Sequence, residues 1–158
     1  MMIAPLGPPR HRLPAARLAR PILFEALLEI ALCTALTALP ERWYFRLLDL
    51  RRCEPGAAEA AAPASEAVQA AVAVGRAIEA VGRRVGFRAV CLQRALAARR
   101  MLRRRGIAST VHFGLRRKGG QDRVRAGLGA HAWTTVGDVV VTGALPDLAD
   151  YVVVGRYR

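Results

Sequence analysis

The sequence predicts an α+β fold, with helices in the first two thirds of the chain and a small antiparallel sheet in the last third. Two observations carry this. Apolar residues recur at helical spacing as far as Gly106, and beyond it the spacing falls to two. The late extended segments are joined by Gly137-Asp138, a dipeptide suited to a tight hairpin turn. With 158 residues, 53% of them hydrophobic, the chain has enough apolar material for one core of ordinary size.

The elements follow in order. Residues 1–20 contain Pro5, Pro8, Pro9 and Pro14 and read as a loose N-terminal segment. A first helix is expected over 21–39, with Pro21 in its first turn. Arg10, Arg12, Arg17 and Arg20 precede it, which gives the region the look of a signal peptide or membrane helix. Glu25 and Glu29 share one helical face, where they would be costly in hydrocarbon, and no small-residue cleavage site follows. The expectation is an amphipathic helix with at most peripheral membrane contact, in a cytoplasmic protein that keeps its thiols unpaired. A second helix over 41–52 carries Trp43, Phe45, Leu47 and Leu48, and 53–64 reads as a linker, so that 21–64 is a helical region ending in a linker.

Residues 65–158 make the main domain. Ser65 is placed as the N-cap of a third helix over 66–84. After a break at 86–88, a fourth helix starts near Cys91 and ends at Gly106. Cys91, Leu92, Ala95, Ala98 and Leu102 share one side of it, and Gln93, Arg100 and Arg104 lie opposite. It is expected to bury one stripe and expose a basic back. Strands follow at 109–115, 130–136, 139–142 and 151–154, with a polar loop over 116–129.

Composition excludes several classes of function. Three scattered cysteines, Cys33, Cys53 and Cys91, rule out a disulfide-stapled secreted scaffold. No CxxC pair is present, so a zinc ribbon is excluded, and neither metal nor cofactor is expected. The chain holds 25 Lys+Arg against 12 Asp+Glu, a net charge of +13. That charge suits nucleic acid, an anionic membrane surface or an acidic peptide as partner. The arginines gather between Arg83 and Arg125 without interleaved aromatics, and no phosphate-binding glycine loop or helix-turn-helix accompanies them. These absences argue against nucleic acid.

One pair of residues points to chemistry. Cys91 opens a predicted helix, whose unpaired amides and dipole favour a thiolate and would later hold an oxyanion. A cysteine nucleophile needs a base in hydrogen-bond reach. His131, on a predicted strand in the run Gly129-Ala130-His131-Ala132-Trp133, is the candidate, and Trp133 shares its face. Gln93, two residues into the helix, is a candidate to bind the oxyanion or a substrate carbonyl. Its plainer reading is an exposed helix glutamine.

The helix from Cys91-Leu92-Gln93-Arg94-Ala95 to Gly106-Ile107, followed by Ala130-His131-Ala132-Trp133, resembles the transglutaminase-like leader peptidases of lasso-peptide biosynthesis. These are the microcin-processing B proteins, and the length resembles their split form, in which the leader-recognition protein is separate. The resemblance covers roughly 86–155 and implies a papain/transglutaminase-like α+β fold, with a nucleophile-bearing helix packed on a small antiparallel sheet behind N-terminal helices. It implies a cysteine protease that removes the leader from a ribosomally made lasso precursor peptide, assisted by a small leader-binding protein. The core peptide would pass to a separate ATP-dependent cyclase.

By that resemblance Cys91 is the nucleophile, and His131 the general base and then acid. The family also places an aspartate on the strand after the histidine, and this chain departs from the pattern. With the turn at Gly137-Asp138, paired positions sum to about 275, which sets the partner of His131 near 144. Thr142-Gly143-Ala144 holds no carboxylate. Asp147, reaching back from the next loop, is the preferred orienting group, with Thr142 as its substitute. Arg116, Arg117, Lys118, Arg123 and Arg125 are candidates to attract an acidic leader or a partner surface, and their plainer reading is a solvated loop. The competing reading is a non-catalytic basic module that binds nucleic acid or an anionic membrane.

Overall fold

A computed structural model describes residues 19–53, 63–85, 90–117 and 128–158. The proline-rich start, most of the linker, the break before the fourth helix and most of the polar loop, with Lys118, Arg123 and Arg125, lie outside the described residues. Among the described residues, helices α1 (Arg20–Leu36), α2 (Glu41–Leu47), α3 (Ser65–Gly82) and α4 (Cys91–Arg104) precede strands β1 (Thr110–Arg117), β2 (Leu128–Val136), β3 (Val139–Thr142) and β4 (Val152–Tyr157). The strands form one antiparallel sheet in the order β3-β2-β1-β4. The fold is the α+β arrangement the change of period predicts.

The hairpin register also holds. Val136 pairs with Val139 and Thr135 with Val140, and a one-residue irregularity then brings Thr134 opposite Thr142. α3 and α4 pack on the sheet, and α1 lies against both of them. Ile30 and Cys33 of α1, Leu48, Val74 and Ile78 of α3, Leu96, Met101 and Leu102 of α4, and Val136 and Val141 of the sheet share one buried cluster. One core therefore joins the N-terminal helices to the sheet.

Three expectations change. Ser65 is the first residue of α3, and Ala64 precedes it without any side-chain cap. The second helix stops at Leu47, because Asp49 takes a positive φ of 50° and the chain turns toward the sheet edge. There Arg51 and Arg158 exchange backbone hydrogen bonds of 3.0 and 2.9 Å, and the Cys53 amide donates to the Arg156 carbonyl at 2.9 Å. Residues 51–53 thus extend the sheet beyond β4.

The third change concerns α4, whose basic side is an internal interface. Arg100 Nε donates to Glu29 at 2.5 Å, and Arg104 donates to Glu29 at 2.5 Å and to Glu25 at 2.7 Å. Arg105 reaches Glu25 at 2.5 Å. Arg99 is only 5% exposed and donates to the carbonyls of Leu48 and Asp49 at 2.8 and 2.9 Å. The two carboxylates that make α1 unsuited to hydrocarbon are the acceptors this arginine row requires. The flexible arginine stems carry the guanidinium groups out from α4 to reach α1.

Candidate active site

Cys91 is the first residue of α4. The helix has no side-chain cap, so the amides of its first turn have no partner from such a group. The thiol is half-buried and packs on a small cluster formed by Ala95, Val111 and Ala132. The Thr134 hydroxyl donates to the Ala95 carbonyl at 2.9 Å, which fixes the start of α4 over β2. Cys33, by contrast, is fully buried, and burial pushes its thiol up to about 12.

His131 is half-buried in β2, opposite Gly114 of β1. Its Nε2 lies 2.7 Å from the Gly143 carbonyl oxygen. A carbonyl only accepts, so Nε2 carries the proton in this contact, and the neutral ring keeps its lone pair on Nδ1. The imidazole stacks on Trp133, with ring centres 5.9 Å apart, and meets Tyr151 at 5.4 Å. Trp133 continues the stack to His112 at 5.2 Å, nearly parallel. The Arg116 guanidinium covers Tyr151, 5.0 Å from the ring centre, and is itself paired with Asp147.

Two glycines make this stack possible. A β-carbon at Gly114 would lie 2.8 Å from the Trp133 ring and 3.0 Å from Tyr151 Cβ, so only glycine lets both cross β1. Gly143 has φ +74°, and a β-carbon there would lie 2.8 Å from the Ala132 carbonyl oxygen.

Each predicted site residue can now be placed. Trp133 shares the His131 face, as alternation along a strand requires. The group that orients His131 is the Gly143 carbonyl, within one residue of the predicted register. Asp147 is instead engaged by Arg116, and the Thr142 hydroxyl is buried with no partner among the described residues, on the side-chain row that faces α4. A backbone carbonyl just past the end of β3 was invisible to a search for acids. Gln93 is half-buried rather than exposed, and its amide donates to the Thr37 hydroxyl at 2.9 Å, tying α4 to the end of α1. His112 is a neutral structural ring. Burial, followed by the nearby Arg156 charge, pushes it down to about 4, and its Nε2 lies 2.9 Å from the Thr135 hydroxyl.

The thiol and the imidazole are not joined. Ala132, Thr134 and Val136 face the helices, and His131, Trp133 and Thr135 take the other face of β2. No hydrogen bond links Cys91 to His131 among the described residues. The two sit on neighbouring parts of the molecule: Ala132 belongs to the cluster that holds Cys91, and His131 is the next residue along the strand. Tyr151 escaped the reading of the sequence, which took Arg116 for a leader-attracting cation and passed over Gly143 because it carries no carboxylate. Gly114 was the available signal, since the register sets it against His131.

A family model described as the transglutaminase-like superfamily matches residues 35–156, from the last two residues of α1 almost to the end of the chain. No curated protein and no solved structure matches significantly. The superfamily commonly contains cysteine peptidases and transferases.

Proposed function

The chain belongs to the transglutaminase-like superfamily, and from that premise we propose that it is a cysteine peptidase, which removes the leader from a ribosomally made lasso precursor. The observation that carries this reading is that Cys91 opens an uncapped helix fixed over the strand bearing His131. Cys91 Sγ, having given its proton to Nδ1 of His131, would attack the scissile carbonyl carbon. The first-turn amides of α4 would hold the oxyanion. The C–N bond then breaks, the leaving amine takes the proton from His131, and water attacks the thioester to release the leader acid and restore the thiol.

Gly143 has the role of orienter in this scheme. Its carbonyl holds the Nε2 proton and leaves Nδ1 as the base. Trp133 and Tyr151 wall the imidazole, and Asp147 acts on it only through Arg116 and Tyr151.

His131 lies on the face of β2 away from α4, so the scheme requires a rearrangement of β2 or of the start of α4 that brings the imidazole to Cys91 before chemistry. Dependence on a separate leader-recognition protein is the form this requirement takes. The isolated chain is then expected to be slow, and the chain with precursor and recognition protein fast. Mass spectrometry of the precursor tests the reading. Wild type should release leader and core, and Cys91→Ala should release neither while keeping its circular dichroism spectrum. Processing by Cys91→Ala at the wild-type rate would refute it.

The basic-module reading loses support from the same structure. Arg94, Arg99, Arg100, Arg103, Arg104, Arg105 and Arg116 all have partners within the chain. Much of the Arg83–Arg125 cluster is therefore committed to holding the fold.

A further inference from the structure

α1 is apolar on both of its sides: Ala26, Ile30 and Cys33 are buried in the core, and its outward side is apolar as well. Its carboxylates point inward: Glu25 and Glu29 are both held by α4 arginines. Its exposed residues are Arg20, Pro21, Phe24, Leu27, Leu28, Ala31, Leu32 and Ala35. From Leu27 round to Leu32 these occupy about 140° of the circumference at 3.6 residues per turn. Phe24 is 62% exposed and Leu28 53%. Leu39 and Trp43, which follow, are exposed as well. This wide apolar stripe has no covering element among the described residues, and Arg20 is its only charge.

We propose that this face docks the protein on an anionic membrane surface, with α1 lying in the plane of the headgroups. The charge that flanks it in the sequence selects that occupant. Arg42 and Arg46 of α2 are exposed. Residues 1–20 contain four arginines and no carboxylate. A second copy would bring a net +13 against +13, which opposes self-association through this face. Burial of such a stripe in the headgroup region adds to the attraction of anionic lipid by the arginines that precede and follow α1 in the sequence. No helix among the described residues is long and apolar enough to cross a membrane, so the contact is with one surface.

Flotation of the full chain with lipid vesicles tests the proposal. Wild type should float with vesicles of phosphatidylcholine and phosphatidylglycerol and stay behind with phosphatidylcholine alone, and added salt should weaken the binding. The double variant Leu28→Glu/Leu32→Glu places charge only at exposed positions, and its helix content is checked by circular dichroism. It should partition at least about tenfold less. Arg42→Glu/Arg46→Glu should weaken binding to anionic vesicles by a smaller factor. The proposal is overturned if wild type ignores anionic vesicles, or if the leucine variant floats as well as wild type. It is also overturned if light scattering shows a dimer that the leucine variant dissolves, which would assign the face to a second copy. The same result with an acidic protein in place of the dimer would assign it to that class of partner.

Discussion

Gly143 carries two duties at one position, since its backbone takes a positive φ and its carbonyl holds His131. Gly143→Ala should cost about 2 kcal/mol, from backbone strain and the clash with Ala132. Its unfolding midpoint in urea, compared with wild type, measures this. His112 gives a second prediction. Its ring is pushed down to about 4 from an ordinary 6.5, so its neutral form belongs to the folded state. Stability from this group is complete above pH 6.5 and is lost as the pH falls toward about 4. In His112→Gln the slope of stability against pH over that window should flatten. The three thiols separate by burial: iodoacetamide under native conditions should label half-buried Cys53 and Cys91 and spare Cys33, which is fully buried and raised to about 12.

Between elements, the contact of α1 with α4 is the least ordinary feature, because an apolar-looking helix is held partly by charge. Glu29 is 8% exposed and bound by two arginines. Glu29→Ala should cost about 2 kcal/mol, less than a fully buried pair because Arg104 still reaches water. Glu25 makes the same contact sensitive to acid. Hydrogen bonds from Arg105 and then Arg104 outweigh its burial and hold its carboxyl near pH 2, below the ordinary 4.5. The stability it supplies is complete above pH 4.5 and is lost as the pH falls through about 2. Acid titration of wild type against Glu25→Gln should show that loss only in wild type. The sequence made Glu25 and Glu29 visible as a helical pair, and made Arg100 and Arg104 visible as a row. Their meeting was not legible, since pairing between distant helices depends on packing that periodicity does not encode.

Across the whole molecule, local patterns were the readable part. The change of period after Gly106 marked the passage from helices to sheet, and Gly137-Asp138 set a register that holds to within one residue. That register led to Thr142–Ala144, at and just past the end of β3, as the segment beside His131, where Gly143 was found. The orienting atom belongs to the backbone, and no side-chain search identifies it. The helix end of Cys91 was also legible, because helix starts are written in local spacing. The separation of thiol and imidazole was not, because it depends on which face of β2 meets α4. Ala132 and Thr134 decide that by packing on Ala95.

The account requires those two faces to communicate when the protein works. Disulfide trapping between position 91 and His131→Cys, with Cys33 and Cys53 replaced by serine, measures this directly, since a disulfide forms only when the two α-carbons come within about 7 Å. Under mild oxidation, the cross-link should form readily when precursor peptide and leader-recognition protein are present, and slowly in the isolated chain. No cross-link under either condition would contradict the account.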